Sequence, residues 1–245
     1  MGDILFRSNA GRKVLEALRH GIILRKYAPG ERLIESRLAE EFGVGRGSVR
    51  AALQMLEREG LVKSKTNGGK EIRGFSRKDA FDTHDLRFLL EKRALEIVSA
   101  MEHFYTSPLL DVLGLIERQL LEATPDCDWH MTDILFHRAI LLMARNNPLL
   151  KAWDIISPQI YSLMTLNTSA GYRERYIEEF YQKHKIIFDY IVTRNDRIFA
   201  LIERHIADAK VISADLFDKL ESGAAAGAVA SPKQGPEPHP WRISG

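Results

Sequence analysis

The chain has 245 residues, with 35 Lys and Arg against 33 Asp and Glu, and 45% of its residues are hydrophobic, which predicts a soluble globular protein of one or two domains. Its single cysteine excludes an internal disulfide and a cysteine-rich zinc cage, and no apolar run reaches the roughly 18 residues that a membrane-spanning helix needs. The segment after Met1 is too short and too charged for a signal peptide, so we expect a cytoplasmic protein with no membrane partner.

The charge is distributed unevenly along the chain. Residues 1–76 carry 15 Lys and Arg against 9 Asp and Glu, a net charge of +6, whereas the remainder carries 20 against 24, a net charge of −4. A small basic segment joined to a larger acidic one suggests a module that binds a polyanion, although ordinary solvated surfaces also show charge excesses. We therefore take residues 1–76 as a first domain and residues 77–221 as a second.

Three helices are predicted in the first domain. Apolar residues recur at helical spacing from about residue 9 until Pro29-Gly30 ends the pattern. A second, short helix fits residues 34–42, and a third fits residues 47–59. Between them, residues 43–45 (Gly-Val-Gly) predict a tight turn, because glycine accepts a positive φ at little cost. Two helices joined by such a turn are typical of a helix-turn-helix, whose second helix enters the major groove of DNA.

The polar face of the third helix supplies candidate DNA contacts. Arg46, Gly47, Arg50 and Gln54 lie on the side opposite the apolar residues. Arginine can donate two hydrogen bonds to guanine or clamp a phosphate, and glycine lets the helix N-terminus approach the DNA backbone closely. Residues 61–73 then predict a β-hairpin with Gly68 and Gly69 at its tip and lysines on its flanks, the wing of a winged helix. A three-helix surface module with merely solvated arginines is the alternative.

Four segments of the first domain carry a family resemblance: Pro29-Gly-Glu-Arg-Leu33, Leu38-Ala-Glu-Glu-Phe-Gly-Val44, Arg46-Gly47-Ser48-Val49-Arg50-Ala-Ala-Leu53 and Leu56-Glu-Arg-Glu-Gly-Leu-Val62. Together they resemble the winged-helix domain of GntR-family transcriptional regulators. The resemblance implies DNA contacts from Arg37, Arg46, Arg50 and the Gly68-Gly69 tip, with Gly47, Ser48 and Gln54 beside them. Gly45 departs from the usual Ser or Thr of the family, and Gly68 from its frequent basic or histidine residue.

Beyond residue 76 the pattern is helical, without strand alternation, and predicts an all-α antiparallel bundle. The predicted helices cover residues 77–104, 107–122, 127–145, 147–167, 173–194 and 196–221. Pro158 lies inside the fourth of these and predicts a kink. Residues 222–245 are rich in Gly, Ala and Pro and predict a loose tail, because they cannot bury enough apolar surface to offset ordering. The fold class is thus mostly α, with a small β-hairpin wing.

Polar residues interrupt the apolar faces of three bundle helices. Asp133 and His137 are four residues apart and project from one face, and His184 and His205 lie in the apolar stripes of two later helices. Burying such groups is costly unless they pair or coordinate, and one carboxylate with three imidazoles suits a divalent transition metal. His130 shares the Asp133 face and is a rival ligand. The remaining histidines, His20, His84, His103 and His239, are predicted to be surface or loop residues.

The same residues resemble the FCD effector domain of the FadR subfamily of GntR regulators. Asp133-x-x-x-His137 followed by Ala144-x-Asn146 resembles the family's metal-binding helix, and His184 and His205 match its later ligands. The resemblance implies one divalent ion per chain, with zinc favoured over nickel, manganese or iron. It also implies an effector site at the family's R-x-x-L-E segment, where Arg87 grips an effector carboxylate and Glu91 is the second effector-binding residue.

Arg87 is informative without the resemblance, because it lies on the predicted interior face of its helix with Leu90 and Ala94. An unpaired guanidinium there would be strongly unfavourable, so an anion must lie beside it. Glu91, one turn further on, is one candidate partner. A carboxylate of a bound effector that also reaches the metal is the other.

These observations predict a ligand-responsive transcriptional regulator, a repressor that binds a palindromic operator in double-stranded DNA as a homodimer and senses a small carboxylic acid. Two alternatives remain open. An Asp/His₃ zinc site could activate water in a hydrolase-like enzyme, with Glu91 as general base. The protein could also bind DNA constitutively, with a purely structural metal site.

Overall fold

A computed structural model describes residues 9–66, 69–122, 128–167 and 173–222. The first part of the chain contains α1 (Asn9–Ile23), β1 (Arg32–Leu33), α2 (Glu35–Glu41), α3 (Arg46–Arg58), β2 (Val62–Ser64) and β3 (Lys70–Ile72). The second part contains α4 (Arg77–Ala100), α5 (Ser107–Glu122), α6 (Trp129–Met143), α7 (Asn147–Asn167), α8 (Arg173–Val192) and α9 (Ile198–Glu221). The mostly helical fold with a small antiparallel wing is confirmed.

The wing contains one strand more than predicted. β2 and β3 form the predicted hairpin, and β1 adds to the other side of β3, so that the strand order is β1-β3-β2 and all pairs are antiparallel. β1 has only two residues, too few to produce a recognisable alternation in the sequence. Of the two glycines predicted at the wing tip, Gly69 is described and Gly68 lies outside the described residues.

The glycines that bound α3 adopt the conformation their positions require. Gly43, in the turn before α3, has φ +62°, and Gly60, directly after the C-cap Glu59, has φ +74°. Residues other than glycine rarely adopt such backbone angles, so Gly43 ends α2 and Gly60 ends α3 sharply. The apolar face of α3 then packs on α1 and α2, with Val49, Leu53 and Leu56 almost fully buried.

The helices of the second part have nearly the predicted boundaries. α4 begins after Ser76, whose side chain forms a capping box with Asp79. The helix ends at Ala100 rather than at the predicted residue 104. Arg194, just past α8, accounts for the shorter helix, because its guanidinium donates to the backbone carbonyls of Ser99 and Met101. Pro158 lies within α7 as predicted, and the kink there stays a prediction.

Two apolar clusters fill the interior. The larger lies within the bundle and draws on α4 to α9. The smaller lies between the helices and the wing of the first part of the chain, but it also takes in Leu163 of α7 and the pair Leu216 and Phe217 of α9. Ala80 of α4 belongs to it as well, so the first part of the chain rests on three bundle helices. Among the described helices, none is long and apolar enough to cross a membrane.

Candidate functional site

The N-terminal end of α3 presents the predicted DNA-contacting residues to solvent. Arg46, Gly47, Arg50 and Gln54 are exposed, and so is Arg37 of α2, whereas Ser48 is half-buried. A Cβ added at Gly47 would meet no atom within 4 Å, so the space outside the helix N-terminus is open. A phosphate could approach the backbone N–H groups there without a clash.

Carboxylates accompany the cations of this surface. Arg50 donates to Glu35 of α2, with a shortest distance of 2.9 Å. The hydrogen bond from Arg50, with smaller effects of Arg46 and Lys70, lowers the pKa of Glu35 despite some burial. Glu35 thus lies close to cations of both α3 and the wing. The sequence patterns did not reveal this partner, because α2 and α3 are brought together only by the turn between them.

The wing lysines also have acidic partners. Lys63 and Lys65 both contact Glu71 on the opposite strand, at 2.9 and 2.5 Å, and Lys70 contacts Glu57 of α3 at 2.5 Å. The hairpin register places Lys63 directly opposite Glu71, so the first of these pairs could have been predicted from the register. The basic flanks of the wing are therefore partly neutralised when no DNA is bound.

The four predicted metal ligands meet at one place in the bundle. Asp133 and His137 come from α6, His184 from α8 and His205 from α9, and one donor atom from each lies within 4.8 Å of all the others. His184 Nε2 lies 3.1 Å from Asp133 Oδ1, and His137 Nε2 lies 3.1 Å from His205 Nε2. Donors that share one metal ion at about 2.0–2.2 Å are separated by roughly 3 Å or slightly more. The donor set and its spacing therefore fit a divalent transition metal.

Two of the imidazoles are oriented by partners outside the cluster. His184 Nδ1 donates to the backbone carbonyl of Phe180 at 2.7 Å, and His137 Nδ1 donates to Glu91 Oε2 at 2.7 Å. Each bond places a proton on Nδ1, so that in the neutral ring Nε2 is the nitrogen available to a metal ion. The role of Glu91 as partner of His137 was not predicted, because α4 and α6 are distant in sequence.

Burial and neighbouring charges set the protonation of the cluster. Burial, together with His137 and His184, lowers the pKa of His205 well below its ordinary value. For Asp133, burial acts to raise the pKa, but His137, His184 and Arg87 outweigh it and hold the pKa well below the usual range. Burial and Arg87 likewise act to lower the pKa of His137, yet the carboxylates of Glu91 and Asp133 raise it. A metal ion at this site therefore competes with protonation of His137.

Arg87 lies against this cluster, almost fully buried. Its Nε donates to Glu91 Oε1 at 2.9 Å, and its guanidinium carbon lies 5.8 Å from the centroid of the Trp153 ring. One terminal nitrogen is 3.5 Å from Asp133 Oδ2, but neither of these two atoms has a hydrogen-bond partner within the described part of the chain. Both oxygens of Glu91 are already occupied, by Arg87 and His137. An anion would satisfy the unpaired nitrogen of Arg87, and a cation would satisfy the unpaired oxygen of Asp133.

Comparison with known proteins identifies the architecture. The model of bacterial regulatory proteins of the gntR family matches residues 10–72, and the FCD domain model matches residues 82–208, about half of the chain. The chain belongs to the GntR family and carries an FCD domain. Its family consists of DNA-binding transcriptional regulators, not of enzymes, which decides against the hydrolase-like alternative.

Relatives cover most of this GntR regulator. A gluconate operon transcriptional repressor of Bacillus licheniformis is 27% identical over 82% of the chain and 83% of the relative. The uncharacterized HTH-type regulator YdhC of Bacillus subtilis is 29% identical over 69% of the chain and 75% of the relative.

Two solved structures share the fold. Lar, which controls expression of the Listeria monocytogenes agr system, has a TM-score of 0.66 at 17% identity and covers 86% of this chain and 99% of its own. A GntR regulator from Rhodococcus sp. RHA1 has a TM-score of 0.57 at 21% identity, over 86% of this chain and 99% of its own.

The other histidines of the regulator differ from the predictions in one respect. His84 was predicted at the surface, but it is 1% exposed and its Nε2 lies 2.8 Å from Ser213 Oγ of α9. The prediction was wrong because α4 packs against α6, α7 and α9 and so buries more than one stripe. His130, the rival ligand, is not in the cluster, and its ring packs near Tyr161. His103 is exposed, His20 is half-buried, and His239 lies outside the described residues.

Proposed function

We propose that the protein is a metal-dependent, acid-responsive transcriptional repressor that acts in the cytoplasm on a palindromic operator. The observation that carries the proposal is the convergence of Asp133, His137, His184 and His205 beside the unsatisfied guanidinium nitrogen of Arg87. Repression is favoured because relatives that span most of the chain are named operon repressors.

The metal site is proposed to hold one divalent ion per chain. Three imidazoles and one carboxylate suit zinc first, and nickel, manganese and iron also accept this set. When bound, the ion supplies a cation with coordination positions left for an oxygen of the effector. His137 and His184 present Nε2, held in place by Glu91 and the Phe180 carbonyl.

Arg87 is proposed to bind a carboxylate of the effector. Its planar guanidinium group can donate two parallel hydrogen bonds to a carboxylate, and one terminal nitrogen is without a hydrogen-bond partner in the described structure. Glu91, predicted from the family resemblance to contact the effector, has both oxygens engaged. We assign it instead to orienting Arg87 and His137, so that each presents one nitrogen to the site.

A series of polar contacts connects this site with the DNA-binding module. Thr83, one turn before Arg87 on α4, lies 3.2 Å from Gln159 Oε1 of α7. The amide of Gln159 donates at 2.5 Å to the backbone carbonyl of Glu59, the C-cap of α3. If effector binding shifts α4 relative to α7, the bond from Gln159 to the Glu59 carbonyl would move the C-terminal end of α3, the recognition helix. Differential affinity of the effector for the two arrangements would then change operator binding.

Two-fold symmetry is proposed because one recognition helix reads too few base pairs for useful specificity, whereas a dyad doubles the site. A homodimer also gives a role to Leu86 and Leu89, which are 40% and 60% exposed on α4. They lie three residues apart and form an apolar patch that a second copy could cover.

Arg46 and Arg50 are expected to carry operator recognition. Replacing either with alanine should weaken specific binding about 5- to 150-fold, because a bidentate contact with a guanine edge would be lost. The matched control is Arg58→Ala, at the other end of α3, which should bind normally. Fluorescence anisotropy with labelled operator measures all three, and unchanged affinity in both Arg46→Ala and Arg50→Ala would refute the assigned face.

The wing lysines are expected to act differently. Replacing Lys63 or Lys65 with alanine should weaken binding to all DNA sequences alike and reduce the salt dependence of binding, as loss of a phosphate contact does. The loss should be modest, because each lysine must leave Glu71 before it can contact DNA. Binding constants measured at several salt concentrations give the slope, and a sequence-specific loss would show that the wing reads bases.

The proposed function is tested by a mobility-shift assay on DNA from upstream of the protein's own gene. Metal-loaded protein should retard this DNA, and addition of small carboxylic acids should release it. Protein treated with a chelator should lose the response to acid. If operator binding is the same with and without every acid tried, the protein is a constitutive DNA-binding protein.

A further inference from the structure

A carboxylate lies within the cationic surface that is proposed to contact DNA. Glu35, the first residue of α2, accepts hydrogen bonds from Arg50 of α3. This bonding lowers the pKa of Glu35, and the nearby charges of Arg46 and Lys70 add to the effect, so the group stays ionised. A negative charge at this place opposes binding to the phosphate backbone. A surface that only had to bind phosphates would be better without it, which points to another role for Glu35.

The stability of the fold does not account for the pair. The side chains of Arg50 and Glu35 are 62% and 32% exposed, and ion pairs this exposed contribute little because water screens them. The packing of α3 comes instead from its apolar face, where Val49 and Leu53 are almost fully buried. What the pair does determine is the direction in which the Arg50 side chain points.

The pair uses one edge of the Arg50 guanidinium group. A guanidinium can form paired hydrogen bonds along the edge of Nε and Nη2, and also along the edge of its two terminal nitrogens. Arg50 Nε lies 3.2 Å from both carboxylate oxygens of Glu35, and Nη2 lies 2.9 Å from Oε2. Glu35 therefore occupies the first edge and leaves the terminal edge. Two parallel donors of fixed direction remain there, and they match the O6 and N7 acceptors of guanine.

The carboxylate also makes this remaining edge selective. A phosphate oxygen carries a negative charge, so Glu35 would repel it, whereas O6 and N7 of guanine are neutral acceptors. In addition, a long arginine side chain loses rotamer freedom when it binds. The bond to Glu35 reduces that loss, because it holds the guanidinium of Arg50 before DNA arrives.

We propose that Glu35 is a specificity-determining residue, which holds Arg50 so that it reads a guanine edge and does not clamp a phosphate. The proposal rests on the proposed function, because it takes from there that Arg50 faces the operator. Glu35 is thus a positioning residue, which acts on DNA through Arg50.

The test is the selection of binding sequences by full-length protein from a library of random DNA duplexes. The wild type should select a motif with a guanine at the position that Arg50 reads, which is the position that Arg50→Ala no longer selects. Glu35→Ala should lose selection at that same position and keep the rest of the motif. Its ratio of affinities for the wild-type motif and for a scrambled duplex, measured by fluorescence anisotropy, should fall about tenfold. Binding to the scrambled duplex should be unchanged or tighter, because a repulsive charge is gone.

The matched control is Glu41→Gln, which removes a negative charge from the exposed other end of α2. It should keep the selection at every position. Because Glu35 acts through Arg50, the double variant Glu35→Ala with Arg50→Ala should have the same affinity ratio as Arg50→Ala alone. Glu35→Gln, which keeps the size of the side chain but removes its charge, should also lower the ratio and replaces Glu35→Ala if that variant does not fold.

Wild-type selection of the guanine in both Glu35 variants, or a lower affinity ratio in the double variant than in Arg50→Ala, would overturn the proposal and leave operator binding in place. Selection of the complete motif by Arg50→Ala would also overturn it, because Arg50 would then contact only phosphate. A wild-type protein that selects no motif would overturn the proposed function as well.

Discussion

Arg19→Ala is expected to destabilise the protein by about 3–5 kcal/mol, because it leaves the Glu59 carboxylate buried without its partner. Arg19 of α1 and Glu59 at the end of α3 form two parallel hydrogen bonds of 2.7 Å, and both side chains are 5% exposed or less. The backbone carbonyl of the same Glu59 accepts the hydrogen bond from Gln159. The pair therefore holds the recognition helix both to α1 and to the bundle.

Urea unfolding followed by circular dichroism measures this effect. The matched control is Arg50→Ala, which breaks another bidentate arginine–glutamate pair, but on the surface, and should change stability far less. The double variant Arg19→Met with Glu59→Leu should recover most of the stability, since apolar side chains of similar size can replace a buried ion pair. A loss from Arg19→Ala no larger than that from the surface control would show that the Glu59 carboxylate is solvated.

Arg87→Gln is expected to abolish the response to the effector acid at concentrations that release wild-type protein from DNA. The charged bonds to a carboxylate are worth about 1.5–3 kcal/mol each, so effector affinity should fall roughly 10- to 150-fold. Metal content and operator binding without acid should stay near wild type, because Arg87 is neither a metal donor nor part of the DNA-binding face. Arg87→Lys should restore the response only in part, since an ammonium group lacks the planar fork.

Acid titrations in the mobility-shift assay measure this prediction. Arg93→Gln is the matched control, because Arg93 lies on the same helix but is exposed and pairs with Glu96. It should respond as wild type does. An Arg87→Gln protein that releases DNA at the wild-type acid concentration would place the effector site elsewhere.

Local signals in the sequence were sufficient for much of this architecture. The i, i+4 spacing of Asp133 and His137 fixed both on one helix face, and the apolar stripes around His184 and His205 turned those residues inward. Convergence then followed from packing three helices together. The ends of α3 were predictable because Gly43 and Gly60 adopt positive φ angles on either side of it.

Contacts between distant segments were not predictable in the same way. A helix that packs against several neighbours also buries residues outside its main apolar face. His84 is such a residue, because α4 packs against α6, α7 and α9. The bond that His137 donates to Glu91 joins residues 46 positions apart, and the bond that Gln159 donates to Glu59 joins residues 100 positions apart. Neither bond produces a pattern of residue spacing that could be recognised in the sequence. Both appear only when the helices are assembled, and both determine how the site is oriented and connected.

Metal content, measured by inductively coupled plasma mass spectrometry on protein purified without chelators, tests the central claim most directly. We expect about one divalent ion per chain in the wild type and almost none in His184→Ala. His130→Ala, which removes a histidine of α6 that lies outside the cluster, should keep the wild-type content. A wild-type protein that holds no divalent ion after exposure to zinc, nickel, manganese and iron, or a His184→Ala protein that retains the full content, would contradict the account.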